Sequence, residues 1–482
     1  MFSDCDGVPG TEWAARPNLL PRSKKGESVL HDSGIKYSSP ASLRKIAIAS
    51  TIGNLIEIFD FIVYSFIAAL VFGHLFFPGE EPWIGTLVAI STQGVAFVAR
   101  PVGAVLFGWV GDRFGRRVGL ISTLGLMGFS TLALGLMPTY STIGALAPIL
   151  LISVRLIQGL AYGGEWGGAI LIAVEHAPPE KKTILGALPQ VGATLGVGLA
   201  AASLLIISNA VGPELFASWG WRVPFLLGAV LIIIGLFIRT RIEETPEFQH
   251  ALDNPSEENL RAGLGVTLRE GWRPILAMIL VWQAAAIAVL FFCTGLLAYV
   301  PRYVDGVTAT DVQIGMVIAT IAVVPVTVGS AYLGKRIGKE KVLLLAGALS
   351  VGWAFPGYAL ITSGDPVLLW VAMTIGLINY GLTNGVIGAT MTENFPVRVR
   401  YLGVSLSFAV ASIIGGAVLP IPTLAWVAEL DGSSMPLALT FLGGGILTVA
   451  GALWITRLPK YLSSTSDGAF DNDVPESSAV RG

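Results

Sequence analysis

Long apolar runs recur along almost the whole chain, from Ile46 to Ile455, and each is long enough to cross a lipid bilayer as a helix. Such a helix needs about 20 apolar residues to span roughly 30 Å of hydrocarbon. Only 13% of the 482 residues are charged, whereas a soluble domain is typically about a quarter charged. The sequence therefore predicts an all-α polytopic membrane protein.

Proline, glycine and charged residues divide these runs into twelve candidate helices, in two sets of six. The first set covers approximately 45–73, 84–110, 118–137, 144–175, 184–209 and 221–240. The second set covers approximately 273–300, 312–333, 342–362, 366–394, 401–427 and 435–456. The predicted organisation is a disordered N-terminal tail (1–43), a six-helix half (44–240), a polar central loop (241–272), a second six-helix half (273–457) and a C-terminal tail (458–482).

Basic residues predict the orientation in the membrane. Of the 30 lysines and arginines, Arg100 and Arg155 lie inside candidate helices, and Arg222 and Arg302 lie at the outer ends of helices. The others lie in the two tails and in the even-numbered loops, or at their edges. Because basic loops stay on the cytoplasmic side, we expect a cell (inner or plasma) membrane protein whose termini and central loop are cytoplasmic.

An internal repeat indicates that the two halves are equivalent. Residues 111–117 (Gly-Asp-Arg-Phe-Gly-Arg-Arg) follow the second candidate helix, and residues 334–339 (Gly-Lys-Arg-Ile-Gly-Lys) follow the eighth. A Glu-x-x-Pro segment with a basic pair and Leu-Gly occurs at 175–186 and again at 393–403. One nearly constant offset relates both pairs of segments. Repeats of this kind predict two pseudo-symmetric six-helix halves.

Five ionisable side chains lie within the apolar segments of the first half: Glu57, Asp60, Arg100, Arg155 and Glu165. A charge at bilayer depth costs roughly 3 kcal/mol on insertion scales, so such residues face a bundle interior or a wet cavity and pair with one another. Carboxylates mixed with guanidinium groups at this depth indicate a proton and ion pathway. The pattern favours a transporter.

The two acids of the first helix are three residues apart and share one helical face. Such a pair suits reversible proton uptake, and Asp60 is the preferred proton carrier over Glu57 because it lies deeper from the cytoplasmic end. The alternative is a structural ion pair with Arg100 or Arg155. Glu165, with glycines on both sides that permit close helix approach, is a candidate for either coupling or structure.

The fourth helix carries one polar stripe: Arg155, Gln158, Tyr162 and Glu165, at spacings of three, four and three. Arg155 is predicted to bind a substrate carboxylate with two parallel hydrogen bonds; the alternative is hydrogen bonding between helices. Arg100 falls near the membrane midplane, twelve residues before Asp112. It is either a second anchor for an anionic substrate or the counter-ion of Glu57.

The second half offers polar and aromatic candidates without a clear buried charge. Trp282, Gln283, Asn379 and Asn384 are candidates for shaping the substrate site, with packing or helix–helix hydrogen bonding as the alternative. The four histidines form no metal-ligand spacing, and neither a P-loop nor a nucleotide-binding glycine pattern occurs. We therefore expect no metal and no cofactor, and neither an enzyme nor an ATP-driven pump. The net charge of −2 gives no indication of a nucleic-acid partner.

Several motifs resemble known families. The loop Gly108-x-x-Gly111-Asp112-Arg113-Phe114-Gly115-Arg116-Arg117 resembles the signature loop of the major facilitator superfamily, as do Arg155-Leu-Ile-Gln158-Gly159 and Glu243-Glu244-Thr245-Pro246-Glu247-Phe248. The strings Gly53-Asn54-Leu-Ile-Glu57-Ile-Phe59-Asp60-Phe61, Arg100-Pro101-Val-Gly103, 163–168 and 395–400 resemble the metabolite:proton symporter family. Two departures are Ile58, where that family has an aromatic residue, and Lys335 in the second copy of the loop.

The resemblance implies the major facilitator fold and alternating access, with a gating role for the loop residues Gly111, Asp112, Arg113, Gly115, Arg116 and Arg117. It also implies proton-coupled uptake of a small organic acid, driven by the proton gradient, by a monomer in the lipid bilayer. Three alternatives are uptake of a zwitterionic compatible solute, proton-driven export, and a transport-inactive membrane sensor.

Overall fold

The structure, a computed structural model, describes residues 40–79, 81–114, 116–175, 177–240 and 263–461. Within these ranges, twelve helical spans are long and apolar enough to cross a membrane. The first six are α1 (Leu43–Phe76), α2 (Pro82–Val110), α3 (Arg117–Gly135), α4 (Leu146–Val174), α5 (Lys182–Val211) and α6 (Arg222–Arg239). The second six are α7 (Leu264–Tyr303), α8 (Ala309–Ile337), α9 (Lys339–Ile361), α10 (Pro366–Glu393), α11 (Val399–Glu429) and α12 (Met435–Ile455).

The predicted fold class is confirmed: twelve spans in two six-helix halves, with no strand among the described residues. The start of the second half is corrected, because α7 begins at Leu264 rather than at 273. Thr267 and Gly271 are buried on one face of this first stretch, and Phe395 lies against Gly271. The charged residues of the stretch lie on its exposed face, which is why it has the composition of a loop. Residues 1–39 of the predicted N-terminal tail (1–43) lie outside the described ranges, and residues 40–43 belong to the first helix, which begins at Pro40.

The outer surface of the bundle is apolar. Phe129, Ile233 and Ile321 are among many large hydrophobic side chains that are more than half exposed in the isolated chain. Polar and charged side chains of the spans are instead buried between helices. This distribution is the one expected of a protein whose surface is solvated by lipid, because only the interior can satisfy polar groups.

Two features repeat between the halves. A π-helical turn interrupts α1 at Ala68–Phe72 and α7 at Phe291–Gly295, and the two turns start 223 residues apart. Glycines also allow close helix crossings in both halves: Gly103 of α2 lies against the α4 backbone, and Gly385 of α10 against the α8 backbone. These correspondences agree with the repeat seen in the sequence.

The two ends of the bundle are named here by their connections. The basic end is the one at which α2 joins α3 and α10 joins α11, and the opposite end is the one at which α1 joins α2 and α7 joins α8. The N-cap hydrogen bonds of α8 and α10 lie at the opposite end: Thr308 and Asp311 form a capping box, and the Asp365 carboxylate accepts from the backbone N–H groups of Val367 and Leu368. Such caps supply partners for otherwise orphaned N–H groups.

Candidate functional site

A buried hydrogen-bond network joins α1, α3 and α4 inside the first half. The Asp60 carboxylate accepts from Thr131 Oγ1 at 2.7 Å and from Gln158 Nε2 at 2.9 Å. The other side of the same amide, Gln158 Oε1, accepts from Arg155 Nη1 at 2.6 Å. Gln158 therefore connects the acid to the guanidinium without a direct ion pair between them.

The Arg155 guanidinium is held in place by an aromatic ring as well as by Gln158. Its Cζ lies 3.7 Å from the centre of the Tyr64 ring, and the residue is 1% exposed. Arg155 Nε and Nη2 make no hydrogen bond within the described part of the chain. Because a buried guanidinium with free N–H groups is strongly under-satisfied, this face of Arg155 is suited to receive an anionic group.

Arg100 lies in a cage of aromatic rings. Its Cζ is 3.7 Å from the ring centre of Tyr162, 4.2 Å from that of Phe97 and 5.0 Å from that of Phe61. Cation–π contacts of this kind stabilise a desolvated guanidinium by about 2 kcal/mol or more. The cage keeps a positive charge buried without committing it to a carboxylate.

Neither acid of α1 forms an ion pair with an arginine among the described residues, so the alternative of a structural Glu57 or Asp60 ion pair is not what the structure contains. Glu57 is fully buried, and both of its carboxylate oxygens lack a hydrogen-bond partner there. The two acids share a helical face but not an environment: Asp60 has two donors and Glu57 has none.

Glu165 is paired with a residue that the sequence analysis missed. Arg239 Nη2 lies 2.5 Å from Glu165 Oε1, and its Nη1 donates to the Leu120 carbonyl at 3.1 Å. The sequence placed Arg239 with the basic residues at a cytoplasmic edge, whereas it is only 5% exposed. Arg100 and Arg155 are therefore not the only buried guanidinium groups of the first half.

Glycine-mediated contacts between α2 and α4, at Gly103, Gly159 and Gly163, set the positions of both site arginines. A Cβ added at Gly159 would lie 2.1 Å from the Ala96 carbonyl oxygen, and one at Gly163 would lie 1.9 Å from that of Arg100. Gly103 is likewise against the α4 backbone. The helices can approach this closely only because these positions carry no side chain.

We expect Gly159→Ala to lower the free energy of unfolding by about 1–3 kcal/mol, because the extra methyl group must push α2 and α4 apart. The measurement is the thermal unfolding temperature of the purified protein in detergent. Gly125→Ala on α3 is the matched control, since nothing lies within 4 Å of a Cβ built there. An equal change in both variants would contradict the role assigned to the crossing.

The candidates of the second half occupy different places. Asn379 donates to Ser350 Oγ on α9 at 2.5 Å, and Gln283 donates to the carbonyls of Ile279 and, across to α11, Ala411. The bonds from Asn379 to α9 and from Gln283 to α11 are helix–helix hydrogen bonds, as the alternative interpretation expected, whereas the bond to Ile279 lies within α7. Asn384 is fully buried, and neither atom of its side-chain amide makes a hydrogen bond with another described residue, so the amide retains donor and acceptor capacity.

An aromatic cluster closes the basic end between the halves, and two predicted site residues belong to it. Trp166 of α4 stacks on Phe408 of α11 with ring centres 3.7 Å apart and 5° between the planes. Trp282 meets the edge of Phe408 at 5.3 Å, and Tyr162 stacks on the same ring at 6.4 Å. Beside the cluster, the Tyr401 hydroxyl donates to the Gly164 carbonyl at 2.9 Å.

The opposite end is also closed between the halves. The ring of Trp83, at the start of α2, meets that of Tyr303, at the end of α7, edge to face at 5.8 Å. The Arg302 guanidinium lies 5.2 Å from the Trp83 ring. With contacts at both ends, the structure is an occluded conformation.

The space left at the centre is small. One cavity of about 10 Å³ is lined by Glu57, Asp60, Phe61, Ala96, Arg100, Met127, Arg155, Gln158, Gly159 and Tyr162. A second of similar size lies between the halves and is lined by Thr194, Val197, Val289, Cys293, Thr320, Val323, Leu377 and Tyr380. Each holds about one water molecule, so a metabolite can enter only if the halves separate. Six of the predicted site residues, from α1, α2 and α4, meet in the first cavity: Glu57, Asp60, Arg100, Arg155, Gln158 and Tyr162.

Most side chains of the predicted gating loop are not among those that the structure describes. Gly115 is outside the described residues, and so are the side chains of Asp112, Arg113 and Arg116. Arg117 Nη2 donates to the Thr240 carbonyl at 2.5 Å. This contact ties the start of α3 to the end of α6.

Sequence reasoning missed four residues that the structure places around the site: Thr131, Tyr64, Trp166 and Arg239. Tyr64 could have been predicted, since it lies four residues after Asp60 on the same helical face. Trp166 stands beside the predicted Glu165. The sequence spacing of Thr131 and Arg239 did not indicate a role in the site, because their partners, Asp60 and Glu165, are on other helices.

Comparison with known proteins identifies extensive sequence similarity. The sequence profile of the Major Facilitator Superfamily matches residues 50–420. The inner membrane metabolite transport protein YhjE of Escherichia coli (strain K12) is 39% identical over 390 residues, which are 80% of this chain and 88% of that protein. The proline/betaine transporter of Salmonella typhimurium is 33% identical over 426 residues, 85% of this chain and 82% of that protein. The shikimate transporter of E. coli (strain K12) is 32% identical over 413 residues, 85% and 94% respectively.

Among solved structures, the xylose transporter XylE from E. coli in a partially occluded inward-open conformation superimposes with a TM-score of 0.67. The alignment covers 88% of this chain and 100% of that chain, at 16% identity. At such low identity, the likeness concerns the fold alone.

Proposed function

Because the chain belongs to the Major Facilitator Superfamily, we propose that it is a secondary transporter that couples proton entry to the uptake of a small organic acid by alternating access. The observation that carries this proposal is the Asp60–Gln158–Arg155 network. It places a group that can bind a proton next to a group that can bind a carboxylate. A transporter that couples two ligands needs such a connection.

Charge links the two events. In its ionised form Asp60 balances the positive charge of Arg155 across the Gln158 amide. When Asp60 takes up a proton, that balance is lost, and the uncompensated guanidinium favours a substrate anion. Binding of the anion in turn favours the proton on Asp60, because linkage is reciprocal.

The hydrogen bonds around Asp60 can accommodate either form. Thr131 Oγ1 lies 2.7 Å from the Asp60 carboxylate and 2.9 Å from the Met127 carbonyl, and a hydroxyl has one proton to donate. With Asp60 ionised, Thr131 donates to it. With Asp60 protonated, Thr131 donates to Met127 and accepts from the acid, so neither form leaves a buried donor unpaired at this point.

A small carboxylate is the substrate class that the site favours. The unpartnered Nε and Nη2 of Arg155 match a bidentate carboxylate, and Arg100 supplies a second positive charge at the same cavity. Asn384, with its free amide, is the candidate from the second half for hydroxyl or carbonyl groups of the substrate. We propose mono-, di- and tricarboxylate metabolites.

A zwitterionic solute is the second candidate, since the proline/betaine transporter of S. typhimurium is among the relatives. The carboxylate of such a solute would use Arg155 in the same way, but its cation would need an acid or an empty aromatic cage. The cage on α1, α2 and α4 is occupied by Arg100. The organic acid therefore remains the first candidate.

We further propose that the basic end faces the cytoplasm, on the distribution of lysine and arginine described above. Protons and substrate then enter from the opposite end and leave at the basic end. A reporter fused after Gly482 that is active only outside the cytoplasm would overturn this orientation.

Transport by purified protein in liposomes tests the function. We expect labelled shikimate, 2-oxoglutarate or citrate to accumulate when the medium outside is more acidic than the lumen, and labelled proline or betaine to accumulate less. Reversal of the pH gradient should abolish accumulation; stimulation by the reversed gradient would instead indicate export. The absence of both uptake and counterflow for all five compounds would contradict the proposal and favour a sensor.

A further inference from the structure

A second group of buried charges lies beside the cavity, toward the basic end: Glu57 of α1, Glu165 of α4 and Arg239 of α6. Arg239 pairs with Glu165 Oε1 at 2.5 Å, while Glu165 Oε2 makes no hydrogen bond within the described ranges. Both glutamates are fully buried and Arg239 is 5% exposed. Two acids thus share the surroundings of a single paired guanidinium.

Glu57 is the unusual member of this group. Both of its oxygens are buried without a hydrogen-bond donor from any described residue, a state that an ionised carboxylate in a dry interior cannot sustain. The charged and titratable groups that face it are Arg100, Tyr162, Glu165 and Arg239. Arg100 is engaged with its aromatic cage, so Glu57 in this conformation has no counter-ion of its own.

The Arg239 guanidinium passes close to the helix that carries Glu57. A Cβ built on Gly53, one turn before Glu57 on α1, would lie 2.5 Å from Arg239 Nη2. Only a glycine leaves room for the guanidinium at this place. A rotation of the long arginine side chain toward Glu57 therefore meets no side chain from the preceding turn.

Glu165 belongs to the segment of α4 that closes the basic end. We define the basic-end gate as Gly164 and Trp166 of α4 with Tyr401 and Phe408 of α11. The two gate residues of α4 are the immediate neighbours of Glu165 in the sequence, and they make the 2.9 Å hydrogen bond and the 3.7 Å ring stack described above. The ion pair of Glu165 with Arg239 therefore also helps to position Gly164 and Trp166, the two gate residues of α4.

We propose that Glu57 is a second proton-binding site, separate from Asp60, and that Arg239 transmits its state to the basic-end gate. While Glu57 carries a proton, Arg239 pairs with Glu165 alone and the gate is closed. When Glu57 gives its proton to water, two carboxylates compete for Arg239. The pairing that fixes the Glu165 segment weakens, and the gate opens.

This inference rests on the proposed alternating-access function but not on the identity of the substrate. It assigns the two acids of α1 different tasks: Asp60 couples the proton to substrate binding at Arg155, and Glu57 couples a proton to the gate. The test is therefore made on the substrate-free protein.

The experiment measures the accessibility of a cysteine in the closed gate. Ser405 of α11 is buried against Gly167 of α4, so Ser405→Cys is the reporter, in full-length protein with Cys5→Ser and Cys293→Ser, reconstituted in lipid nanodiscs. The readout is the rate of labelling by a hydrophilic thiol reagent, corrected for the pH dependence of the reagent with an exposed cysteine. We expect the corrected rate to rise about tenfold as the pH is raised through the titration of Glu57.

Two substitutions should remove this pH dependence in opposite ways. Glu57→Gln keeps an uncharged group of the same size, so labelling stays slow at every pH. Glu165→Gln removes the partner of Arg239 in the closed gate, so labelling is fast at every pH. Glu214→Gln, an exposed residue at the opposite end, is the control and should behave as the parent protein.

The outcomes separate this inference from the proposed function. Asp60→Asn should keep the pH-dependent labelling; its loss there, with retention in Glu57→Gln, would overturn the second proton site. Fast labelling in both glutamate variants would mean general loosening of the helices and would also overturn it. Failure of every organic acid to be transported, with the labelling pattern intact, would contradict only the proposed substrate class.

Discussion

Asp60→Asn is expected to abolish the accumulation of substrate against its gradient while leaving substrate exchange across the membrane intact. Asparagine imitates the protonated acid: its amide can donate to Thr131 Oγ1 and its carbonyl can accept from Gln158 Nε2, so both native neighbours remain paired. The variant cannot release a proton at position 60, so substrate binding at Arg155 is no longer coupled to the pH gradient. Exchange needs no net proton movement and should continue.

The measurement compares uptake driven by an imposed pH gradient with counterflow in the same proteoliposomes. We expect gradient-driven accumulation to fall to the equilibrium level, and counterflow to stay within about twofold of the parent rate. Asp305→Asn, at an exposed position after α7, is the matched control. If Asp60→Asn still concentrates substrate, the coupling proton is carried elsewhere, and Glu57 and Glu165 are the next candidates.

Arg155→Lys is expected to weaken substrate binding by about ten- to a hundredfold, which corresponds to the roughly 1.5–3 kcal/mol of a charge-assisted hydrogen bond. The lysine keeps the charge but has a single nitrogen in place of the planar fork. It cannot both hold Gln158, as Arg155 Nη1 does, and present two parallel N–H groups to a carboxylate. The substrate affinity should therefore fall even though the positive charge is kept.

Equilibrium binding of a labelled substrate to purified protein measures this effect. Arg155→Ala should bind more weakly still, and Arg336→Lys, on the exposed basic end of α8, should bind as the parent does. Unaltered affinity in Arg155→Ala would remove this residue from the substrate site. A comparable loss in Arg336→Lys would indicate an electrostatic effect on the whole protein rather than a contact.

The acids and arginines of the first half show which features of the site can be predicted from the sequence. A charge within an apolar run can be recognised locally, and helical spacing then places Arg155 and Gln158 on one face, as found. The sequence did not predict which acid lies next to which arginine. The ion pairs with Arg100 or Arg155, which were the alternative to proton uptake, do not occur among the described residues. Their place is taken by an amide bridge, an aromatic cage and a glutamate without a hydrogen-bond partner there.

Arg239 and Asn379 show why the partners of these side chains could not be predicted. Arg239 stands at the end of an apolar helix, where basic residues usually mark the cytoplasmic edge, and Gly53 on the neighbouring α1 leaves room for its side chain to lie in the interior. Asn379 lies midway along an apolar helix, as a substrate-binding residue would. The rotation of α10 about its axis instead directs the side chain to Ser350 of α9. Both outcomes depend on helix rotation rather than on local composition.

The sequence by itself determined the twelve spans, the two related halves and the depth of the buried charges, because transfer of a segment into lipid depends on its own residues. Only the tertiary structure decided which charges are partnered and that both ends are closed around cavities of about 10 Å³. Those properties depend on helix crossings set by contacts between distant residues, such as Gly159 with Ala96 and Gly163 with Arg100. A shift of about one ångström at such a crossing changes every hydrogen bond in the site, since hydrogen bonds weaken steeply with distance and angle.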